Sequence, residues 1–253
     1  MSEGGNRNWR RTELGRDRVK DSPEYQEATD DRRGTWRGRE IISRDTPVNG
    51  GVYLGGSERE AIVVDDEREG SRREYDRVYN SVFDTVKSYE KQGYNKKDVL
   101  LNSVFDTTRT EIPYAESKIE KILDEELGIN REDKKVDLSF FISKKAGVCR
   151  HQVLLVAYLL ERLIKYGQLE GEASVDRNAI PGIGAHTWVR YTSSRGDISI
   201  IDASMGYIGT LEDSKKKGGW NYSRPEEMEQ VPFNDEDTDL VASDEETELG
   251  SDL

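Results

Sequence analysis

Apolar residues at Tyr75, Val78, Tyr79, Val82, Phe83 and Val86 recur at three- and four-residue steps, the period of one helix face. That spacing predicts a helix through this stretch, a second over Lys97 to Thr108, and a third over Tyr114 to Leu127 closed by Gly128 at a C-cap position. The hexapeptide Asn-Ser-Val-Phe-Asp-Thr occurs at Asn80 to Thr85 and again at Asn102 to Thr107, which similar apolar faces packing on one core explain without a repeat architecture. A further helix after Cys149 carries Val153, Leu154, Leu155, Val156, Leu159, Leu160, Leu163 and Ile164, apolar on more than one side, and is therefore central and buried. Downstream the period changes to two. Thr187, Val189 and Tyr191 fall on one face of a strand and His186, Trp188 and Arg190 on the other. Ser193 to Asp197 is a turn signal, and Ile198 to Ala203 reads as the returning antiparallel strand. Upstream, Gly50 to Gly56 followed by Ala61 to Val64 predicts short strands or a hairpin.

Composition restricts how much of the chain folds. Of 253 residues, 34% are hydrophobic and 35% charged, so part of the length is expected to remain outside any core. Residues 226–253 hold twelve acidic side chains and no Lys or Arg, too little apolar material to offset the entropy of ordering, and are expected to be a disordered acidic tail. This tail carries nearly all of the net charge of −13, leaving the rest close to balanced. Residues 1–44, with isolated Trp9 and Trp36 among Arg, Asp, Glu and Gly, read as a flexible charged arm, and 45–225 as the domain. Acids interleaved with the arginines of the arm cancel most counterion-release affinity, so nucleic acid is not an expected partner. No leader-like segment and no apolar window near eighteen residues is present, so neither secretion nor membrane spanning is expected. One cysteine excludes an internal disulfide and, as a free thiol, points to a cytoplasmic location.

That cysteine is also the candidate chemistry. Cys149 follows Gly147-Val148 at the start of the apolar helix, where unpaired N–H groups and the positive dipole end favour thiolate over thiol and suit an oxyanion. The competing interpretation is packing, since free cysteine is among the most often buried residues. His151 lies about 200° round the helix from Cys149 and should face away, which makes His186 the better base. A three-residue loop between the strands sets Trp188 opposite Asp202, and a five-residue loop sets His186 there; a two-residue loop would put Asp202 on the wrong face. Trp188 is expected to shield the His–Asp pair or wall the substrate channel. A metal site is not expected, because Cys149 and His151 diverge and no metal-ligand spacing occurs; the glycine pairs lack the Lys-Ser/Thr of a phosphate loop.

Gly147-Val148-Cys149, His186-Thr187-Trp188 and Asp202-Ala203-Ser204, in this order over about Ser139 to Gly209, resemble the transglutaminase-like superfamily of papain-type cysteine enzymes. The resemblance implies an α+β domain with a papain-like core, the nucleophile Cys149 on a central helix, and the acid/base His186 and orienting Asp202 on adjacent strands of an antiparallel sheet. Thr187 in place of a small alanine and Ala203-Ser204 in place of Pro-Thr depart from the family pattern outside the triad. The implied reaction is acyl transfer from an amide bond of a protein or peptide substrate to water or an amine through a thioester, with no cofactor. The alternative is a domain of the same fold that binds partners without turnover. The N–H of Cys149 is an expected oxyanion donor, Gln152 is expected to be structural, and Arg150 and His151 are expected to cap and solvate the helix start, the alternative being to bind a substrate carboxylate.

Overall fold

The structure, a computed structural model, describes residues 10–28, 34–55, 59–90, 95–128, 134–180, 184–217 and 219–227. Trp9 and the acidic stretch from residue 228 onward lie outside the described residues. The architecture is α+β. In chain order the described elements are α1 (Arg10–Val19), β1 (Tyr25–Gln26), β2 (Thr35–Trp36), β3 (Arg39–Glu40), β4 (Val52–Leu54), β5 (Ala61–Val63), α2 (Glu69–Glu90), α3 (Lys96–Glu111), α4 (Glu116–Leu127), β6 (Lys135–Asp137), α5 (Leu138–Lys144), α6 (Cys149–Lys165), β7 (Gly171–Ile180), β8 (Gly184–Ser193), β9 (Ile198–Asp202), β10 (Tyr207–Thr210) and α7 (Leu211–Lys217). No described helix is long and apolar enough to cross a membrane.

The apolar helix starting at Cys149 is α6, and its core residues Leu154, Leu155, Val156, Leu159, Leu160 and Leu163 are fully enclosed. Each such side chain contributes about 1.5–3 kcal/mol relative to exposure. Enclosure on all sides needs partners on all sides: β7 and β8 pack on one flank, α3 and α5 on another. The two hexapeptide copies fall on α2 and α3, where Val82 and Val104 are buried in the same core and the Thr85 and Thr107 hydroxyls lie 3.4 Å apart. Asn95 caps α3 by accepting the Asp98 amide at 2.9 Å, and Gly128 closes α4 with φ +80°.

The main sheet is antiparallel in the order β10-β9-β8-β7. Between β8 and β9 the chain turns through Ser194, Arg195 and Gly196, with Ser193 N–H donating to Asp197 O at 2.9 Å. Gly196 takes φ +84°, the left-handed position that a three-residue hairpin requires. The register pairs Val189 with Ile201 and Arg190 with Ile200, so Trp188 stands in step with Asp202 and His186 lies on the diagonal. This is the three-residue-loop alternative. Val175, Val189, Tyr191 and Ile201 join the α6 core, whereas Trp188 and Ile200 cluster on the opposite face with Leu211, Trp220 and Tyr222.

Both ends of the expected domain need correction. The segment read as a flexible arm supplies α1 and the β1-β2-β3 ribbon, and Trp36 is buried with Val19, Ile41, Val52, Leu54, Ala61 and Val63 in a second small core. Apolar residues dispersed over such short elements leave no periodic trace, and they are buried only because the β4–β5 hairpin offers a surface. At the other end Pro225–Glu227 forms a 3-10 turn, where Glu227 pairs with the Arg190 guanidinium and Glu226 with Arg44 at 2.7 Å. These two acidic residues therefore belong to the fold. Tyr114 precedes α4 rather than opening it.

If residues 10–44 are integral, Trp36→Ala should lower stability by about 3–5 kcal/mol, the usual cost of truncating a buried tryptophan. Urea unfolding checks this, and a loss below about 0.5 kcal/mol, the range of surface substitutions, would return the segment to a loose arm.

Candidate active site

The start of α6 is fixed by contacts that leave no room for larger residues. A Cβ on Gly147 would lie 2.4 Å from Ile112 Cγ2 and 2.9 Å from His151 Cβ, so the glycine preceding Val148-Cys149 is a steric requirement. His151 reaches back along the first turn, and its Nδ1 accepts the Val148 N–H at 3.0 Å, satisfying one of the amides that precede the helix ladder. Nε2 therefore carries the ring proton and donates to Glu60 Oε1 at 3.0 Å. Arg150 Nε donates to the same oxygen at 2.9 Å, and Phe141 stacks on the imidazole with centroids 3.8 Å apart. Burial, reinforced by the Arg150 charge and outweighing Glu60, pushes His151 down to about 4. The Glu60 carboxyl is held below its usual range by Arg150 and His151 despite the opposing effect of burial. Arg150 and His151 thus serve the helix start rather than solvent or ligand.

Of the expected triad, His186 and Asp202 meet directly, and Cys149 lies near enough to the imidazole to act on its charge. Cys149 is the first residue of α6 and is partly exposed. His186 Nε2 donates to Asp202 Oδ2 at 2.6 Å across the β8–β9 diagonal, with both groups buried. That bond leaves Nδ1 as the ring nitrogen open to the sulfur. Burial opposes a charge on His186, but Asp202, with a smaller contribution from the adjacent Cys149, overcomes it and pushes the ring up to about 10. Asp202 is itself saturated: Oδ1 accepts the Met205 N–H at 3.0 Å, and Oδ2 also accepts the Tyr222 hydroxyl at 2.9 Å.

Trp188 is placed differently from one of its expected roles. At 1% exposure, edge-on to Tyr222 with centroids 5.2 Å apart, it has no open surface with which to wall a channel, and it instead shields the His186–Asp202 pair. Gln152 is structural, donating to Ile112 O and accepting from Ser204 Oγ, both at 2.8 Å, so it ties α6 to the end of α3 and to the turn after Asp202. Three contributors escaped sequence reasoning. Glu60 sits in the β4–β5 region, far along the chain from its partners. Tyr114 is half exposed and bridges Gly147 through Pro113–Ala115, with its phenol close enough for Cys149 to add to the burial that raises its pKa. Tyr222 belongs to Trp220-Asn221-Tyr222, an aromatic pair in an otherwise polar stretch, which was the one available signal.

No protein-family model matches the chain, and no curated protein or solved structure matches it either. The chemistry is therefore argued from geometry alone. Among the described residues no group of three or more His, Cys, Asp or Glu side chains is arranged to hold a metal ion. What the cluster offers is a sulfur at a helix N-terminus, a charged imidazole beside it and a carboxylate fixing that imidazole.

The two histidines predict opposite pH dependences. His151, depressed to about 4 in the fold from an unfolded value of 6.5, contributes stability that is complete above 6.5 and lost as the pH falls through about 4. His186, raised to about 10, contributes stability complete below 6.5 and lost as the pH rises through about 10. Melting temperatures should show His151→Gln flattening the acid limb and His186→Gln the alkaline limb; each variant altering the other limb would contradict these assignments.

Proposed function

We propose that the chain is a transglutaminase-like cysteine hydrolase or acyltransferase of papain-like core, with Cys149 as nucleophile, His186 as acid/base and Asp202 as the orienting carboxylate. The observation that carries this reading is the 2.6 Å His186–Asp202 bond beside the thiol, because it commits Nε2 and turns Nδ1 over to proton exchange with sulfur. The Cys149 thiolate attacks the carbonyl carbon of an amide, forming a C–S bond and placing the electron pair on oxygen. The N–H of Cys149, at the helix start where amides lack helical acceptors, would donate to that oxyanion. Collapse breaks the C–N bond as His186 passes its proton to the leaving amine. Water or an incoming amine then attacks the thioester, gives its proton to the ring and releases the thiolate.

A protein or peptide substrate suits a partly exposed thiol, with the exposed Tyr114 and Met205 available for apolar contact. A partly exposed free thiol suits a reducing compartment such as the cytoplasm.

Because Cys149 is the sole cysteine, its reaction with iodoacetamide reports on the site directly. At neutral pH His186→Ala should slow labelling at least about tenfold, because it removes the base beside the sulfur that generates the nucleophile. A labelling rate unchanged by His186→Ala would overturn the enzyme and leave a binding domain of the same fold.

A further inference from the structure

Residues 219–227 form a strap over the outer face of the main sheet. Trp220 Nε1 donates to Asn178 Oδ1 at 2.7 Å, and Asn178 Nδ2 donates back to the Asn221 carbonyl at 2.8 Å. Arg224 bonds Asp176 Oδ2 at 2.8 Å, and Glu227 pairs with Arg190. These anchors on β7 and β8 bracket Tyr222, whose ring stacks on Tyr207 at 5.5 Å and meets Trp188 edge-on. Trp220 sets its own ring against His186 with centroids 5.1 Å apart. The position and tilt of Tyr222 are thus fixed independently of the bond its hydroxyl makes.

That hydroxyl donates to Asp202 Oδ2, the same oxygen that accepts His186 Nε2. We infer, resting on the thiol centre proposed above, that Tyr222 is a positioning residue that fixes the Asp202 carboxylate and lowers the proton affinity of His186 by sharing that oxygen. A hydroxyl donated to one carboxylate oxygen takes up part of its charge, and what remains holds the imidazolium less tightly. Burial together with the adjacent Asp202 raises the phenol far above its ordinary value, so Tyr222 remains a donor throughout the working range and does not itself exchange the proton. The consequence for catalysis is a ring that can release its proton to a leaving group; without the hydroxyl it holds the proton more firmly and becomes a weaker general acid.

With only two histidines in the chain, the ring signals are separable by NMR, His186→Ala assigning them. In the full-length protein, Tyr222→Phe should raise the His186 ring pKa by about half a unit, the scale of losing one hydrogen bond to the neighbouring carboxylate. It should leave His151 unmoved. In an Asp202→Asn background the same substitution should produce no further shift, since its effect passes through the carboxylate. An unmoved His186 in folded Tyr222→Phe, or an equal shift with and without Asp202, overturns the assignment. Should that variant not fold, Arg224→Met, which loosens the strap at Asp176, is expected to move His186 in the same direction, and no movement there overturns the assignment equally. Iodoacetamide labelling of Cys149 indifferent to His186→Ala would instead remove the thiol centre itself, whatever Tyr222→Phe does to the ring.

Discussion

A helix with no polar side along most of its length must be enclosed, and the rest of this protein is arranged to enclose α6. The sheet covers one flank and the helices the others, because an exposed flank would forfeit about 1.5–3 kcal/mol for each large aliphatic side chain left in water. Enclosure also fixes where the helix begins. Gly147 passes so close to Ile112 and His151 that the backbone at Val148 has little freedom, and Cys149 is held at the one end of α6 where amides lack helical acceptors. The placement of the thiol is a consequence of core packing, not of contacts made by the thiol.

Two imidazoles lie close in space to the same helix start, and their surroundings drive them in opposite directions. His151 is buried next to the Arg150 guanidinium and must keep Nδ1 free of a proton to accept the Val148 amide, so it stays neutral. His186 is buried next to a carboxylate with no competing cation in contact with it among the described residues, so it holds its charge. Desolvation acts on both and each ring contacts a carboxylate; the Arg150 charge, which opposes Glu60 at His151, separates the outcomes. Such a division suits one ring to capping and the other to proton transfer.

The ends of the folded region perform related tasks on two faces. The α1 and β1–β3 segment covers the β4–β5 hairpin, and the 219–227 strap covers the outer face of the main sheet over the His–Asp pair. Ion pairs locate the strap more than they stabilise it. Arg224 and Asp176 give up hydration to meet, and the return is a defined register for Tyr222 and Trp220 between the anchors.

The sequence by itself determined the elements whose signals are local. Period in Tyr75 to Val86 and in Val153 to Leu163 marked helices; alternation in His186 to Tyr191 marked a strand; and Ser193 to Asp197 limited the hairpin to registers of which the three-residue loop is the one observed. The meeting of His186 with Asp202 was legible for the same reason, since one hairpin carries both. Only the tertiary structure decided what depends on separation along the chain. Glu60 reaches Arg150 and His151 across some ninety residues, Tyr222 reaches Asp202 from beyond the last strand, and Trp36 is buried by a hairpin it precedes. Burial of Trp188 likewise needed the strap laid over it. A side chain's partner across a core leaves no periodic mark in the sequence, because periodicity records which face is buried and not what buries it.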